Sequence, residues 1–187
     1  MLTTLDPDTA LIVVDLQKGI VSSPFIQPIG PVVERTRELL DAFRAQGLPV
    51  ILVNVSGGAP GRTEQPRRLP DMLPDGFTDI LPELDQQPGD IVVTKRTWGA
   101  FAGTDLEKRL KGLGVTQVVV TGVATATGVE ATARQAYEQG FNVTLAVDAM
   151  TDARAEAHDY SIGTVFPRLG ETGTTREIIQ LLEARNK

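Results

Sequence analysis

Cysteine is absent from the 187 residues, and histidine occurs once, as His158. The first absence removes disulfides, thiolate metal sites and thiol nucleophiles together. The second leaves too few imidazoles for a typical catalytic zinc site, so no metal and no cofactor is expected. His158 falls inside an expected helix and reads as a surface or packing residue. Basic charge is scarce as well: 18 Lys and Arg stand against 24 Asp and Glu, a net charge of −6. Nucleic-acid binding needs clustered cations. The densest basic stretches, Lys108–Lys111 and Arg67–Arg68, are short, lie among acids or prolines, and read as solvated surface. No stretch reaches the roughly 18 apolar residues that span a bilayer. The opening MLTTLDPDTA shows no basic segment followed by an apolar run. A cytoplasmic protein with neither membrane nor nucleic-acid partners is the expectation. Three common catalytic signatures are missing too: G-x-G-x-x-G, G-x-x-x-x-G-K-[ST] and G-x-S-x-G.

What is present is a regular alternation of apolar runs and amphipathic segments. The length and the 41% hydrophobic content fit one domain over residues 1–187. Ala10–Asp15 is a continuous, largely β-branched run, as expected of a strand buried on both faces. Pro31 suits a first helical turn, Val32, Val33, Thr36, Leu39, Leu40 and Phe43 follow at helical spacing, and Gly47 closes the segment. Further strands are expected at Val50–Val55, Ile91–Thr94, Gln117–Thr121 and Asn142–Val147, with a weak sixth near Arg168–Glu171. Helices are expected over Gly128–Gln139 and about Asp152–Thr164. Thr104 with Glu107, and Thr174 with Glu177, have capping-box spacing. The pattern predicts an α/β fold: a doubly wound, mainly parallel six-stranded sheet with helices on both faces, a Rossmann-type three-layer arrangement. Ser56–Gly89 breaks it. This stretch holds six of the twelve prolines and, at most, a short helix near Leu81–Leu84.

In an open parallel sheet, ligands bind beyond the carboxyl ends of the strands, where the strand order reverses. Strand one ends in Asp15, strand three in Lys95, and strand four in the turn Thr121–Gly128. A carboxylate, an ammonium and a Gly/Thr-rich turn thus converge on one edge. Asp148, at the expected end of strand five, reads as a turn-shaping residue.

The V-V-D-x-Q of strand one, the block Lys95-Arg96-Thr97-Trp98-Gly99-Ala100-Phe101, and Thr121–Thr125 leading into Val129–Arg134 resemble the isochorismatase-like hydrolases. The likeness runs from about Leu11 to the end of the chain, with the three motifs in family order. It implies that Asp15 is the catalytic acid or base, that Lys95 is its lysine, and that Gly128 occupies the place where most members carry a nucleophilic cysteine. It also implies a cis peptide at Val123–Ala124. Amidase members attack a carbonyl with that thiol, a route Gly128 closes. Isochorismatases proper, which also lack the cysteine there, protonate the enol carbon of a vinyl ether and let water capture the oxocarbenium ion. On that pattern Asp15 is the general acid. Lys95 orients it and binds a substrate carboxylate, and the N–H groups around Thr127–Gly128 hold negative charge. Trp98, Phe101, Val123, Ala124, Thr127 and Ser56 are the expected substrate-binding residues. Ser56 stands where isochorismatases tend to carry glutamine, with Gln65 further along. Arg62, Arg67 and Arg68 are further candidates for recognising an acidic substrate.

Two readings stand beside a cysteine-independent hydrolase of a small anion. One is a binding or assembly protein that keeps the fold without catalysis. The other is hydrolysis with Thr125 or Thr127 as nucleophile. The resemblance also implies a homo-oligomer. One opposition is left open by the residues alone: Lys95 lowers the pKa of Asp15, whereas burial raises it.

Overall fold

The computed structural model describes residues 2–65 and 72–185. Six strands form one sheet: β1 (Thr9–Val14), β2 (Val50–Val55), β3 (Ile91–Lys95), β4 (Gln117–Val123), β5 (Asn142–Thr151) and β6 (Glu171–Gly173). Their order is β3-β2-β1-β4-β5-β6, and every neighbouring pair is parallel. The α/β, doubly wound reading therefore holds, with the reversal of strand order between β1 and β4.

Both faces are covered, which explains why β1 reads as an unbroken apolar run. Ala10, Ile12 and Val14 enter one core with Leu106, Leu110, Ala133 and Ala136. Leu11 and Val13 enter the other with Leu39, Leu40, Phe43, Ile178 and Leu182. The helices supplying these residues are α3 (Leu106–Gly112) and α4 (Glu130–Glu138) on the first face, and α2 (Ile29–Ala45) and α6 (Thr175–Ala184) on the second. The short helices α1 (Lys18–Val21) and α5 (Ala155–Tyr160) complete the set. Gly47, at φ +66°, ends α2 by letting Leu48 N–H reach back to the Phe43 carbonyl at 3.0 Å. Thr174 and Glu177 form the expected capping box before α6.

Four local expectations are corrected. Thr104 does not cap α3, which begins after Asp105. The Thr104 hydroxyl donates to the Ala100 carbonyl at 2.7 Å, closing the preceding turn, and accepts from Leu106 N–H at 3.3 Å without a capping box. β5 does not stop before Asp148. It runs on to Thr151 because a bulge opposite Thr121 takes up extra residues, held by the Thr121 hydroxyl on the Ala149 carbonyl. The helix expected from Gly128 begins earlier, as a π-helical turn at Thr125–Val129, and a second such turn, Ser161–Val165, extends α5. β6 lies just beyond its expected place, because Phe166–Arg168 forms a 3₁₀ turn.

The described part of the long 56–89 connection is tied to the strand ends by Gln17. Its amide donates to the Val55 and Phe77 carbonyls, both at 3.0 Å, and accepts from Val55 N–H at 2.6 Å. The Asn54 amide holds the Thr78 carbonyl at 2.9 Å, and Pro82–Leu84 is a 3₁₀ turn where a short helix was expected. Arg67 and Arg68 lie outside the described residues.

Candidate active site

The reversal of strand order brings Asp15, at the end of β1, beside the turn that follows β4. Lys95, at the end of β3, reaches across the end of β2, and its ammonium donates to Asp15 Oδ2 at 2.7 Å. A second ammonium donor goes to the Thr97 carbonyl at 3.2 Å. Both side chains are withdrawn from water, Lys95 at 1% exposure and Asp15 at 6%. Asp15 Oδ1 is buried with no hydrogen-bond partner among the described residues. Its backbone, at φ 53°, adopts the left-handed conformation that Asp tolerates better than most residues.

Burial and the lysine oppose each other at Asp15, and burial prevails. Loss of solvent, the largest influence, raises the carboxyl from its ordinary 3.8 to about 6, against the downward pull of the Lys95 charge and hydrogen bond. A buried carboxyl near neutrality can hold or give up a proton at physiological pH, which is the property required of a general acid or base.

Gly128 lies against this carboxyl. A Cβ built there would sit 3.1 Å from Asp15 Oδ2, 3.0 Å from the Val123 carbonyl oxygen and 3.0 Å from Val14 Cγ1. Asp15 therefore closes onto the space a side chain at 128 would take. Val123–Ala124 is a cis peptide.

The remaining candidates are distributed as follows. Val123 is buried, while Ala124, Thr127 and Ser56 are half-buried around the strand ends. The Thr127 N–H is already taken by the Ala124 carbonyl at 3.1 Å, so that donor is not open to an anion. Phe101 is 4% exposed and packs in the core, its ring centroid 5.9 Å from that of Phe141. Trp98 is 67% exposed. Arg62 and Gln65 are exposed on the long connection. Asp148 does not shape a turn: it accepts from Thr175 N–H at 2.7 Å and pairs with Arg35 at 3.4 Å, tying β5 to α6 and α2.

Two residues that hold the turn after β4 were not legible as site residues. Asp152 accepts from Ala126 N–H at 2.8 Å. His158 is buried, its Nδ1 lying 2.8 Å from the hydroxyl of Thr125, which has no exposed surface. Thr125 thus has the histidine neighbour that sequence order concealed, but it is sealed from any substrate. It serves as a strut of the turn.

This arrangement agrees with what the chain is similar to. Its residues 9–177 match the isochorismatase domain. It is 39% identical over 189 residues to YwoC, an isochorismatase family protein of Bacillus subtilis, covering 96% of this chain and 98% of that one. The chain belongs to the isochorismatase family. An isochorismatase family protein from Burkholderia thailandensis superposes with a TM-score of 0.92 at 42% identity, over 96% of this chain and 98% of that one. Ureidoacrylate amidohydrolase RutB of Stutzerimonas stutzeri is 33% identical over 193 residues, covering 85% and 77%. The chain is accordingly an isochorismatase-family hydrolase with an α/β sheet of six parallel strands. Among the described residues, no helix is long and apolar enough to cross a membrane.

Proposed function

We propose that this hydrolase cleaves the vinyl ether of a small anionic substrate, with isochorismate as the candidate, and that Asp15 is its general acid. The observation that carries this reading is the buried Asp15–Lys95 pair, its carboxyl raised to about 6, closed onto a glycine where a thiol route needs a nucleophile. With no cysteine in the chain, amide hydrolysis through a thioester has no attacking atom. Vinyl-ether cleavage needs none.

In the first step the protonated Asp15 carboxyl gives its proton to the terminal enol carbon, and the ether oxygen shares the resulting positive charge. Asp15, now a carboxylate, remains paired with Lys95, which stabilises the charge it has acquired. Water then adds to the cationic carbon and returns a proton to Asp15. The hemiketal so formed collapses, breaking the carbon–oxygen bond to release pyruvate and the ring alcohol. Gly128 is part of the machinery because its missing side chain leaves the carboxyl its position.

The reading also carries a cytoplasmic location, a homo-oligomer, and no nucleic-acid partner, the last supported by the net charge of −6. Its test is pyruvate release from isochorismate by the purified protein, with Asp15→Asn and Lys95→Ala alongside. Release by wild type that disappears in Asp15→Asn is the expected result. Release that persists in Asp15→Asn would remove Asp15 as the acid. No release by wild type would remove isochorismate as the substrate and leave other anionic enol ethers, or the binding-protein reading, to be separated by ligand screening.

A further inference from the structure

An anionic substrate needs a cation that is free to receive it, and Lys95 is not. One ammonium donor is committed to Asp15 and another to the Thr97 carbonyl, inside a side chain that is 1% exposed. The expectation that Lys95 both orients Asp15 and binds a carboxylate therefore asks too much of one buried group.

The next residue along the chain is free. Arg96 is exposed and has no carboxylate partner among the described residues, whereas Arg35, Arg37, Arg44, Arg109 and Arg134 each hold one. Its guanidinium lies across the backbone that leaves β2. A Cβ at Gly57 would stand 3.3 Å from Arg96 Nε and 3.5 Å from Nη2, so the glycine admits the planar group against the main chain. Ser56, immediately before Gly57, is half-buried, with its N–H bonded to the Lys95 carbonyl at 2.9 Å and no hydrogen bond from its hydroxyl among the described residues. A planar cation and a hydroxyl, both without a partner among the described residues, thus sit together on the strand end adjoining the Asp15–Lys95 pair.

The geometry points to Arg96, with Ser56, as a carboxylate-binding subsite that anchors the acid group of the substrate at the rim while its ether reaches Asp15. This rests on the vinyl-ether reading for the identity of the substrate. Two parallel guanidinium N–H donors match a carboxylate, which a lysine at the same place would not reproduce.

The test uses Asp15→Asn as a catalytically silent background and isochorismate as the probe, with binding followed by calorimetry. Adding Arg96→Gln is expected to raise Kd about 10- to 100-fold, the usual yield of a charge-assisted contact. Arg96→Lys is expected to recover part of the loss. With Asp15 intact, Arg96→Gln should lower kcat/KM by a similar factor through KM, leaving kcat and the melting temperature unchanged. Equal affinity with and without Arg96, or no binding in either background, overturns the subsite. Arg96-dependent binding together with pyruvate release that survives Asp15→Asn would overturn the acid-catalysis reading and leave the subsite standing.

Discussion

The two ends of the sheet treat a carboxylate in opposite ways. At the end where the strands begin, Asp6 Oδ2 accepts from the Thr116 hydroxyl at 2.7 Å and the Asn142 amide at 2.9 Å, while the Asp6 N–H donates to Gln117. Glu171 likewise holds Thr3 through both carboxyl oxygens. At the end where the strands finish, Asp15 has one oxygen on Lys95, the other without a partner among the described residues, and a left-handed backbone conformation. A cavity of about 420 Å³ lies at the first end, lined by Asp6, Gln117, Asn142 and Glu171 among others. The satisfied groups border the cavity, and the under-bonded, buried carboxyl lies at the opposite end of the sheet. Unsatisfied buried polar atoms and left-handed non-glycine residues cost stability, and a fold retains them where function requires them.

Breaking this contrast should have its largest effect at the strand ends. Asp15→Asn is expected to lower pyruvate release by about 10²- to 10⁴-fold, the usual yield of a general acid, measured as kcat. Lys95→Ala should destabilise the fold by about 3–5 kcal/mol in denaturant titrations above pH 6, because a buried carboxylate loses its counter-ion. At pH 5 the penalty should shrink, since a protonated Asp15 needs none. An equal penalty at both pH values would mean that Asp15 does not titrate where burial places it.

The pH dependence follows from the same group. The folded state holds the Asp15 proton more tightly than the unfolded chain, about 6 against 3.8. Its contribution to stability is fully present below pH 3.8 and lost as pH rises through about 6. The loss is about 3 kcal/mol. Replacing the carboxyl in Asp15→Asn should flatten that part of the stability–pH curve. Turnover, which needs the protonated acid, should fall as pH rises past about 6; a rate that climbs through that range would mark Asp15 as a base.

Gly128→Ala comes next in size. Its new Cβ meets Val123 O, Val14 Cγ1 and Asp15 Oδ2 at 3.0–3.1 Å, so about 1–3 kcal/mol of stability should go with the repacking, and turnover should drop with it. At the other end of the sheet, Asp6→Ala is expected to cost about 1–2 kcal/mol in thermal melts through its lost hydrogen bonds, with kcat unchanged. Smallest of all, Arg134→Gln removes an exposed i,i+4 pair with Glu130 and should change stability by less than about 0.5 kcal/mol.

The alternation of apolar runs and amphipathic segments determined the fold class by itself, because covered strands must be apolar throughout and their connecting helices must be apolar on one face. The absence of cysteine determined equally firmly which chemistry is closed to the chain. Asp15 and Lys95 were legible too, since strand ends are local features and the sheet rule converts them into one edge, while Gly128 was singled out only by the family resemblance. The rest waited on tertiary structure. The length of β5 depended on a bulge against Thr121, so Asp148 passed for a strand end while Asp152 went unnoticed. Phe101 reads equally well as wall or core until Phe141 is beside it. His158 meets Thr125 only across 33 residues of chain, and the guanidinium of Arg96 meets Gly57 only when β3 lies beside β2. The balance at Asp15 is also tertiary: sequence names the opposing lysine, but only the depth of burial decides that desolvation prevails.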